Sequence, residues 1–321
     1  MKLRMLCLLP AFALAFAAGA AKADWPEKPV RIVLPGPPGS SPDRITRLLA
    51  DHLSKKWQQP VVVENRPGGT TRIGAAMVAT APPDGHTLLS TFVSHGMAKL
   101  LHPDTSYDPI ADFSPVAKMV DTETVLVMRS DAPYKTLDEM IEGVKQRGQP
   151  LQVGNFGNGS SFHFYTLMLG KDAGIEVLPV PYKGEALSLA DMLGGHVEAS
   201  FNSVGTALPH LRDGKVRALA LLAPQRSKVL PDVPTFTELG YPRLRYGGWF
   251  GLLAPAGTPQ PVIDKIHADV EAVLGTAEVT QWLRDQGLEP AFESSQAFGD
   301  SLKQESGAWA DLIQEFNVTV N

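Results

Sequence analysis

Two strand-to-helix turns carry residue types that could bind an anion, and the first spans residues 34–43, with the sequence LPGPPGSSPD. Gly39 and Ser40 allow a ligand to approach the backbone amides closely. We predict Ser41 as the N-cap of the following helix and Pro42 at its first position, where these residue types are preferred. The free N–H groups at a helix N-terminus attract anions. An ordinary capped helix after a rigid turn explains the same residues equally well, and the spacing of a phosphate-binding P-loop is missing.

The second turn spans residues 153–163, with the sequence VGNFGNGSSFH, and likewise follows a predicted strand and precedes a predicted helix. Ser160 and Ser161 can cap the helix that begins here and donate their hydroxyls to a bound oxyanion. Gly157 and Gly159 lack the third glycine of a dinucleotide-binding fingerprint, so that signal is weak. His163 falls in the first helical turn, where it is either a ligand contact or a partly exposed histidine.

Motifs for catalysis and metal binding are missing from the sequence. It contains neither the Gly-x-Ser-x-Gly elbow of serine hydrolases nor the His-Glu-x-x-His helix of zinc proteases. The eight histidines are scattered without metal-ligand spacing. A triad of Ser160 with a distant histidine and aspartate stays open, because triads assemble in space rather than in sequence. From these residues we expect neither a metal site nor a cofactor, and a small-molecule hydrolase is an alternative function.

Composition excludes several further classes of protein. The chain has 321 residues, enough for about two domains. Its net charge is −5 and no run of Lys and Arg forms a phosphate-binding stripe, so we expect no nucleic-acid partner. The single cysteine, Cys7, excludes a disulfide framework and a zinc site built on paired cysteines.

The N-terminus has the pattern of a signal peptide. Lys2 and Arg4 precede an apolar run over residues 5–18, and Ala21-Lys22-Ala23 supplies a small-x-small cleavage pattern. The run is shorter than the roughly 20 residues of a bilayer span, although an N-terminal membrane anchor is the alternative. Cleavage after Ala23 removes three basic residues and changes the net charge from −5 to −8. We predict an exported protein.

Short apolar runs alternate with helical patterns along the rest of the chain, which is typical of an α/β fold with parallel strands. The helical stripes include one after Pro261 and one from Phe298 to Phe316, whose aromatic residues we assign to the core. The predicted strands are 30–34, 61–63, 87–89, 125–127, 151–153, 177–178, 218–221 and 250–253.

Six sequence blocks, in order, resemble a known family over essentially the whole chain after the signal peptide. They resemble the Bug family, the extracytoplasmic solute receptors of tripartite tricarboxylate transporters. The blocks are WPEKPVRIV (25–33), PVVVENRPG (60–68), PDGHTLL (83–89), DFSPV (112–116), VPYKG (180–184) and GLLAPAGTP (251–259).

The resemblance implies a type II periplasmic binding protein, in which two α/β lobes enclose a ligand cleft. Lobe 1 would combine residues 24–122 with 247–321, and lobe 2 would be residues 123–246. We expect hinges near Asp121–Thr124 and Tyr246–Gly248. The expected function is capture in the periplasm of a small di-, tri- or aromatic carboxylate and its delivery to a membrane permease, by a monomer. A receptor that signals to a membrane kinase is a further alternative.

The family's carboxylate sits at the two turns, with further contacts from both lobes. Carried onto this sequence, the expected ligand-binding residues are Gly36, Pro38, Gly39, Ser40, Ser41, Asp43, Arg72, Ser94, His95, Asn155, Gly157, Gly159, Ser160, His163, Tyr182, Gly184 and Asn202.

Several of these positions depart from the family pattern. Pro42 stands where the family commonly has Thr, so Ser40 or Ser41 must replace that hydroxyl, and Asn202 stands where Asp is frequent. Arg72, at a usual Asn, is either the partner of a second ligand carboxylate or a surface arginine. Gly36 replaces a usual Phe. It either leaves room for a bulky ligand, which would pack on Phe156, Phe162 or Trp249, or provides a backbone angle with positive φ.

Overall fold

A computed structural model describes residues 25–68, 71–245 and 247–320, so the predicted signal peptide lies outside the described residues. These residues form two β-sheets and the helices that pack on them. The first sheet contains β1 (Val30–Leu34), β2 (Val61–Asn65), β3 (Thr87–Phe92), β4 (Phe113–Thr122), β10 (Gly248–Pro255) and β11 (Leu288–Pro290). The second contains β5 (Thr124–Arg129), β6 (Leu151–Asn155), β7 (Val177–Pro181), β8 (Ala199–Ser203) and β9 (Val216–Leu222).

The helices follow the strands along the chain. A 3₁₀ turn over Val93–Met97 comes directly after β3. The α-helices are α1 (Ser41–Trp57), α2 (Arg72–Ala79), α3 (Ala98–Leu101), α4 (Leu137–Arg147), α5 (Ser161–Ala173), α6 (Glu185–Leu193), α7 (Val204–Arg212), α8 (Gln260–Leu274), α9 (Ala277–Asp285) and α10 (Ser295–Phe316).

The sheets confirm the predicted α/β class. In the first sheet, with strand order β11-β4-β10-β3-β1-β2, β1 runs parallel to β2 and β3. In the second, with order β7-β6-β8-β5-β9, β6 runs parallel to β7 and β8. Parallel strands end at the same edge of a sheet. The carboxyl ends of β1, β2 and β3 therefore lie along one edge of the first sheet, and those of β6, β7 and β8 lie along one edge of the second.

The predicted strands did not include β4, β8 or β11. The reason is clearest for β8, whose sequence ASFNS is largely polar although all five residues are buried. The Ser200 hydroxyl finds its partner inside the fold, since its Oγ lies 2.7 Å from the Oγ of Ser188. A buried strand whose polar groups are paired in this way has no hydrophobic alternation by which to recognise it.

The chain passes between the sheets at two adjacent places. Glu123 alone separates β4 from β5, and the return to the first sheet is completed at Gly248, where β10 begins. The backbone N–H of Gly248 donates to the Oγ1 of Thr122 at 3.1 Å. A Cβ on Gly247 would collide with the carbonyl of Thr122. The two crossing segments therefore lie side by side, and only glycine permits so close an approach.

The aromatic stripe of α10 lies in the core, as predicted. Phe298 packs edge to face on Trp249 of β10, with ring centroids 5.1 Å apart. Near the other end of the helix, Trp309 lies 5.6 Å from Phe164 and 6.3 Å from Tyr165, both on α5. The N-terminal half of α10 therefore contacts the first sheet. Its C-terminal half contacts α5, which lies beside the second sheet.

Candidate ligand-binding site

The predicted turns follow the carboxyl ends of parallel strands, which is where open α/β sheets bind ligands. Ser94 follows β3 in the first sheet, while Asn155 and Asn202 lie at the corresponding edge of the second. The two edges meet, since the ring of Phe92 at the end of β3 lies 6.5 Å from the ring of Phe156 after β6, edge to face. We call the region between these edges the cleft.

The Asp43 carboxylate holds the first turn together through hydrogen bonds to its neighbours. Its Oδ2 accepts a hydrogen bond from the backbone N–H of Gly39 at 2.8 Å and its Oδ1 accepts one from Asn65 Nδ2 at 2.8 Å. Arg47 Nε donates to the same carboxylate at 3.1 Å. Burial raises the pKa of the Asp43 carboxyl, but the hydrogen bonds from Arg47, Gly39 and Asn65 outweigh it and hold the pKa below its ordinary value of 3.8. The backbone N–H of Gly39 therefore already has a hydrogen-bond partner, Asp43, within the turn.

Replacing this carboxylate should destabilise the fold. Hydrogen bonds to charged groups contribute about 1.5–3 kcal/mol each, so we expect Asp43→Ala to lower the free energy of unfolding by about 3 kcal/mol in urea titrations. The exposed Asp51 on the same helix offers the matched control Asp51→Ala, with little expected change. Because the folded-state pKa is depressed, the stabilisation is present above pH 3.8 and is lost as the pH falls below it. A difference between wild type and Asp43→Ala that persists undiminished below that pH would contradict this role.

The helix after the first turn begins one residue earlier than the sequence predicts. Ser40, with φ −67° and ψ 162°, is the N-cap of α1, and Ser41 and Pro42 are its first two residues. The Ser40 hydroxyl donates to the carbonyl of Pro37 at 2.7 Å instead of capping the helix. Ser41 is buried and its Oγ has no hydrogen-bond partner. Pro38 is exposed on the turn.

The second turn is held by its own side chains. Ser160 is the N-cap of α5 and accepts from the backbone N–H of His163 at 3.3 Å. The His163 Nδ1 accepts from the N–H of Gly159 at 3.0 Å, and Asn155 Oδ1 accepts from the N–H of Gly157 at 2.8 Å. Burial lowers the pKa of His163, consistent with a neutral ring that accepts at Nδ1. These are the contacts of a capped turn rather than of a serine nucleophile activated by a histidine.

Several buried polar side-chain atoms at the carboxyl ends of the strands, or in the turns that follow them, lack any hydrogen-bond partner within the described residues. Besides Thr91 Oγ1 and His95 Nδ1, they are the Oγ of Ser41, the Oγ of Ser94, the Nδ2 of Asn155 and the Oδ1 of Asn202. Ser94, Asn155 and Asn202 are each 0 % exposed. An unpaired buried polar group costs about 1–3 kcal/mol, and several at one place require a partner. The set combines hydroxyl and amide donors, which suit a carboxylate, with one amide oxygen that accepts.

The remaining predicted residues of the second sheet lie beyond β7. Gly184 is the N-cap of α6, with φ 121°. Tyr182 donates its hydroxyl to Asp191, and burial together with this hydrogen bond raises the pKa of Tyr182 to about 12. Sequence analysis did not identify Glu185, whose carboxylate accepts from the Ser203 N–H at 2.8 Å at the start of α7. No sequence motif marks this contact, which joins the first residue of α6 to the last residue of β8.

His95 lies in the core rather than on an open surface. Its Nε2 donates to the carbonyl of Pro109 at 2.9 Å, and its ring stacks on Tyr107 at 6.2 Å and meets Phe113 edge to face at 4.9 Å. Burial lowers the pKa of His95 to about 4, so the ring is neutral near pH 7. Its contribution beside the cleft is therefore that of a neutral imidazole and not of a cation.

Two expectations about the apolar wall of the cleft are corrected. Trp249 packs inside the core and its Nε1 donates to Glu305 at 2.8 Å, so it does not face a ligand. Phe156 lies between the two sheets, with its ring centroid 4.6 Å from that of Phe162 and 6.5 Å from that of Phe92. Gly36 has no positive φ, and a Cβ there would meet only ordinary contacts at 3.5 Å or more. The interpretation of Gly36 as a backbone requirement is therefore wrong.

Arg72 is the first residue of α2 and pairs with Asp104 through NH1 at 3.2 Å. Asp104 is largely exposed, with 81 % of its side-chain surface accessible, so the pair lies at the protein surface on one side. The Nε of Arg72 is buried without a hydrogen-bond partner.

Across residues 25–68, 71–245 and 247–320, no three His, Cys, Asp or Glu residues gather in a way that could hold a metal ion. No helix in this same part of the chain combines the length and apolar character needed to cross a membrane.

The sequence matches the family model of the tripartite tricarboxylate transporter family receptor over residues 45–318. BugT of Bordetella pertussis is 33% identical over 316 residues, which cover 97% of this chain and 97% of BugT. Among solved structures, MatC from Rhodopseudomonas palustris with bound malate is 33% identical, with a TM-score of 0.82 over 90% of this chain and 100% of MatC. Another R. palustris protein, with adipate, is 31% identical, with a TM-score of 0.86 over 92% of this chain and 99% of that protein.

These similarities extend over nearly the full length of the chain and include both sheets and both turns. The family model alone spans most of the sequence. The resemblance to the Bug proteins inferred from six sequence blocks is thereby confirmed. The chain belongs to the tripartite tricarboxylate transporter receptor family, whose Bug-type members are periplasmic solute-binding proteins.

Proposed function

We propose that this receptor binds a small organic acid in the cleft and delivers it to the membrane permease of a tripartite tricarboxylate transporter. The observation that carries the proposal is the set of unpartnered, buried polar atoms of Ser41, Ser94, Asn155 and Asn202 at the strand ends. A carboxylate placed among them would accept hydrogen bonds from the hydroxyls and from the Asn155 amide. Relatives of this chain were solved with malate and adipate, both dicarboxylates.

The expected affinity comes from hydrogen bonds and from the helix N-termini behind the two turns. Hydrogen bonds to a charged group contribute about 1.5–3 kcal/mol each, and a helix N-terminus adds roughly 0.3–2 kcal/mol. None of these interactions requires a metal ion, so EDTA should leave the affinity unchanged. The negative net charge of the chain is screened beyond about 10 Å at ordinary ionic strength.

A thermal-shift screen with di-, tri- and aromatic carboxylates tests the proposal. A ligand present at 100 times its Kd stabilises the folded state by about 2.7 kcal/mol, which is readily seen as a rise in Tm. Chromatography of the incubated acid separates a receptor, which returns it unchanged, from a hydrolase. The proposal is abandoned if no carboxylate raises Tm, or if binding disappears with EDTA and returns with a divalent cation.

The proposed lobes correspond to residues 24–122 with 247–321 and to residues 123–246. Support comes from the sheets, because strands before Glu123 and after Gly247 form one sheet and those between them form the other. The proposed hinges are Asp121–Thr124 and Tyr246–Gly248, and Tyr246 lies outside the described residues. The contact of α10 with α5 provides a further connection that must slide or bend when the lobes move.

Ligand binding should therefore make the protein more compact. The radius of gyration from small-angle scattering is expected to fall at saturating ligand, since the candidate contacts are divided between the two sheets. The same measurement on an Asn155→Asp variant, which should not bind, serves as the control. Equal radii for wild type with and without saturating ligand would exclude the proposed closure.

Export to the periplasm with cleavage after Ala23 completes the proposal. N-terminal sequencing of protein from a periplasmic fraction should begin at Asp24, and gel filtration of that protein should show a monomer. A protein that retains residues 1–23 would support the alternative of an N-terminal membrane anchor.

A further inference from the structure

Glu185 fills the N-terminus of α7 with its own carboxylate. That carboxylate accepts a hydrogen bond from the backbone N–H of Ser203 at 2.8 Å, and the hydroxyls of Ser203 and Thr206 donate to it at 2.9 and 2.7 Å. Ser203 is the N-cap of α7, and its side chain makes no capping bond of its own. The N–H groups and the positive end of a helix attract a carboxylate. The anion position at this helix start is therefore already taken by the protein.

This position lies at the cleft edge of the second sheet. In the order β7-β6-β8-β5-β9, β6 lies between β7 and β8. Glu185 begins the helix that follows β7, whereas Ser203 ends β8, so their contact spans the carboxyl end of β6, where Asn155 lies. A Cβ on Gly157 would lie 3.9 Å from the carbonyl oxygen of Tyr182, so the segment that leads into α6 packs on the second turn. Glu185 therefore lies beside the place that the proposed function gives to the ligand.

The helix starts of α5 and α7 offer opposite groups to a ligand. The turn before α5 contains no Asp or Glu, and the Nδ2 of Asn155 is buried there as an unpartnered donor. On the α7 side, Asn202 is 0 % exposed and donates through its own Nδ2 to the carbonyl of Ser200 at 3.3 Å. Its Oδ1 is left without a partner among the described residues. An acceptor next to the Glu185 charge suits a hydroxyl or an uncharged part of a ligand and opposes a carboxylate.

We propose that Glu185 is a specificity residue that excludes a carboxylate from the β8 side of the cleft, so that the receptor selects dicarboxylates against tricarboxylates. The inference rests on the proposed function, in which a ligand carboxylate binds at the two turns. The donors around Glu185 are neutral, so they hold its charge in place without cancelling it. Like charges repel strongly where little water separates them. A short dicarboxylate can direct both charged groups away from Glu185, whereas a third carboxylate on the same carbon chain would face it.

Acids that differ by one carboxylate test the proposal by titration calorimetry: tricarballylate against glutarate, citrate against 3-hydroxyglutarate and trimellitate against phthalate. Wild type should bind the dicarboxylate of a pair at least about tenfold more tightly than the tricarboxylate. Glu185→Gln keeps the length of the side chain and an oxygen that can accept from the Ser203 N–H, but it removes the charge. It should raise tricarboxylate affinity about tenfold or more and change dicarboxylate affinity less than about threefold.

Two further variants separate the charge from the helix-capping contact. Glu185→Asp keeps the charge and shortens the side chain, so it should keep the preference for the dicarboxylate even where it lowers Tm. Glu176→Gln removes the same charge from an exposed residue just before β7, at the other end of that strand, and should leave every affinity as in wild type. An effect of net charge alone would instead appear equally in Glu176→Gln and Glu185→Gln.

The outcomes distinguish the role of Glu185 from the proposed function. Equal affinity of wild type for both members of every pair overturns the role of Glu185 and leaves the proposed function standing. The same holds if Glu185→Gln binds no tricarboxylate more tightly than wild type does, if Glu185→Asp loses the preference as well, or if Glu176→Gln has an equal effect. If neither wild type nor Glu185→Gln binds any carboxylate, malate and adipate included, the proposed function fails, and the role of Glu185 with it.

Discussion

Changing Asn155 to Asp should abolish carboxylate binding near pH 7, with Kd rising about 100-fold or more. The variant is nearly isosteric, and one carboxylate oxygen can still accept from the Gly157 N–H as the Asn155 Oδ1 does at 2.8 Å. The other replaces Nδ2, the donor that is fully buried without a partner. A donor to the ligand thereby becomes a like charge that faces it without water to screen the repulsion.

Calorimetric titration across pH provides the measurement. Protonation of the introduced carboxyl removes the repulsion, so affinity should recover partly as the pH is lowered toward the range in which that group titrates. Asn158 lies on the same turn but is exposed, and Asn158→Asp therefore adds the same charge without placing it in the cleft. If both variants weaken binding equally, the effect is one of overall charge, and Asn155 is not a ligand contact.

Gly36→Phe should discriminate between ligands by size. We expect affinity for an aromatic acid such as phthalate to fall about 10- to 100-fold, because burial of a ring contributes about 1.5–3 kcal/mol that the added side chain would prevent. Malate and succinate should retain most of their affinity. The Cβ itself fits, with Ser40 Oγ at 3.5 Å, Leu34 Cγ at 3.6 Å and Pro42 Cγ at 3.7 Å.

Thermal melting of Gly36→Phe shows whether its loss of affinity comes from a filled pocket or from a disrupted fold. On the pocket interpretation, Gly36→Phe melts within about 2 °C of wild type, and Gly36→Ala, which adds only the Cβ that the site accommodates, binds every acid as wild type does. A large fall in Tm with equal loss of all ligands would show that the ring disrupts packing, and the proposal of an aromatic ligand should then be dropped.

The positions of the two turns could be predicted because local sequence determines them. Glycine, proline and serine between an apolar run and a helical stripe specify a turn and a helix start whatever surrounds them. Of the two predicted caps of α5, Ser160 is the N-cap and Ser161 is the first helical residue, whereas α1 begins one residue earlier than predicted. The difference arises because Ser40 and Ser41 are chemically equivalent caps, and only the bond from Ser40 to Pro37 distinguishes them.

By itself, the sequence determined the α/β class, the two turns, the aromatic stripe of α10 and membership of a receptor family, since each depends on short-range pattern or on ordered blocks. Only the tertiary structure decided which polar groups are paired. Asp43 is satisfied by Asn65, Trp249 by Glu305 and Glu185 by Ser203. Ser94, Asn155 and Asn202 are left with buried atoms that have no partner. Hydrogen-bond partners far apart in the chain meet only when the sheets and helices pack together, so no local pattern can show which groups remain free to bind a ligand.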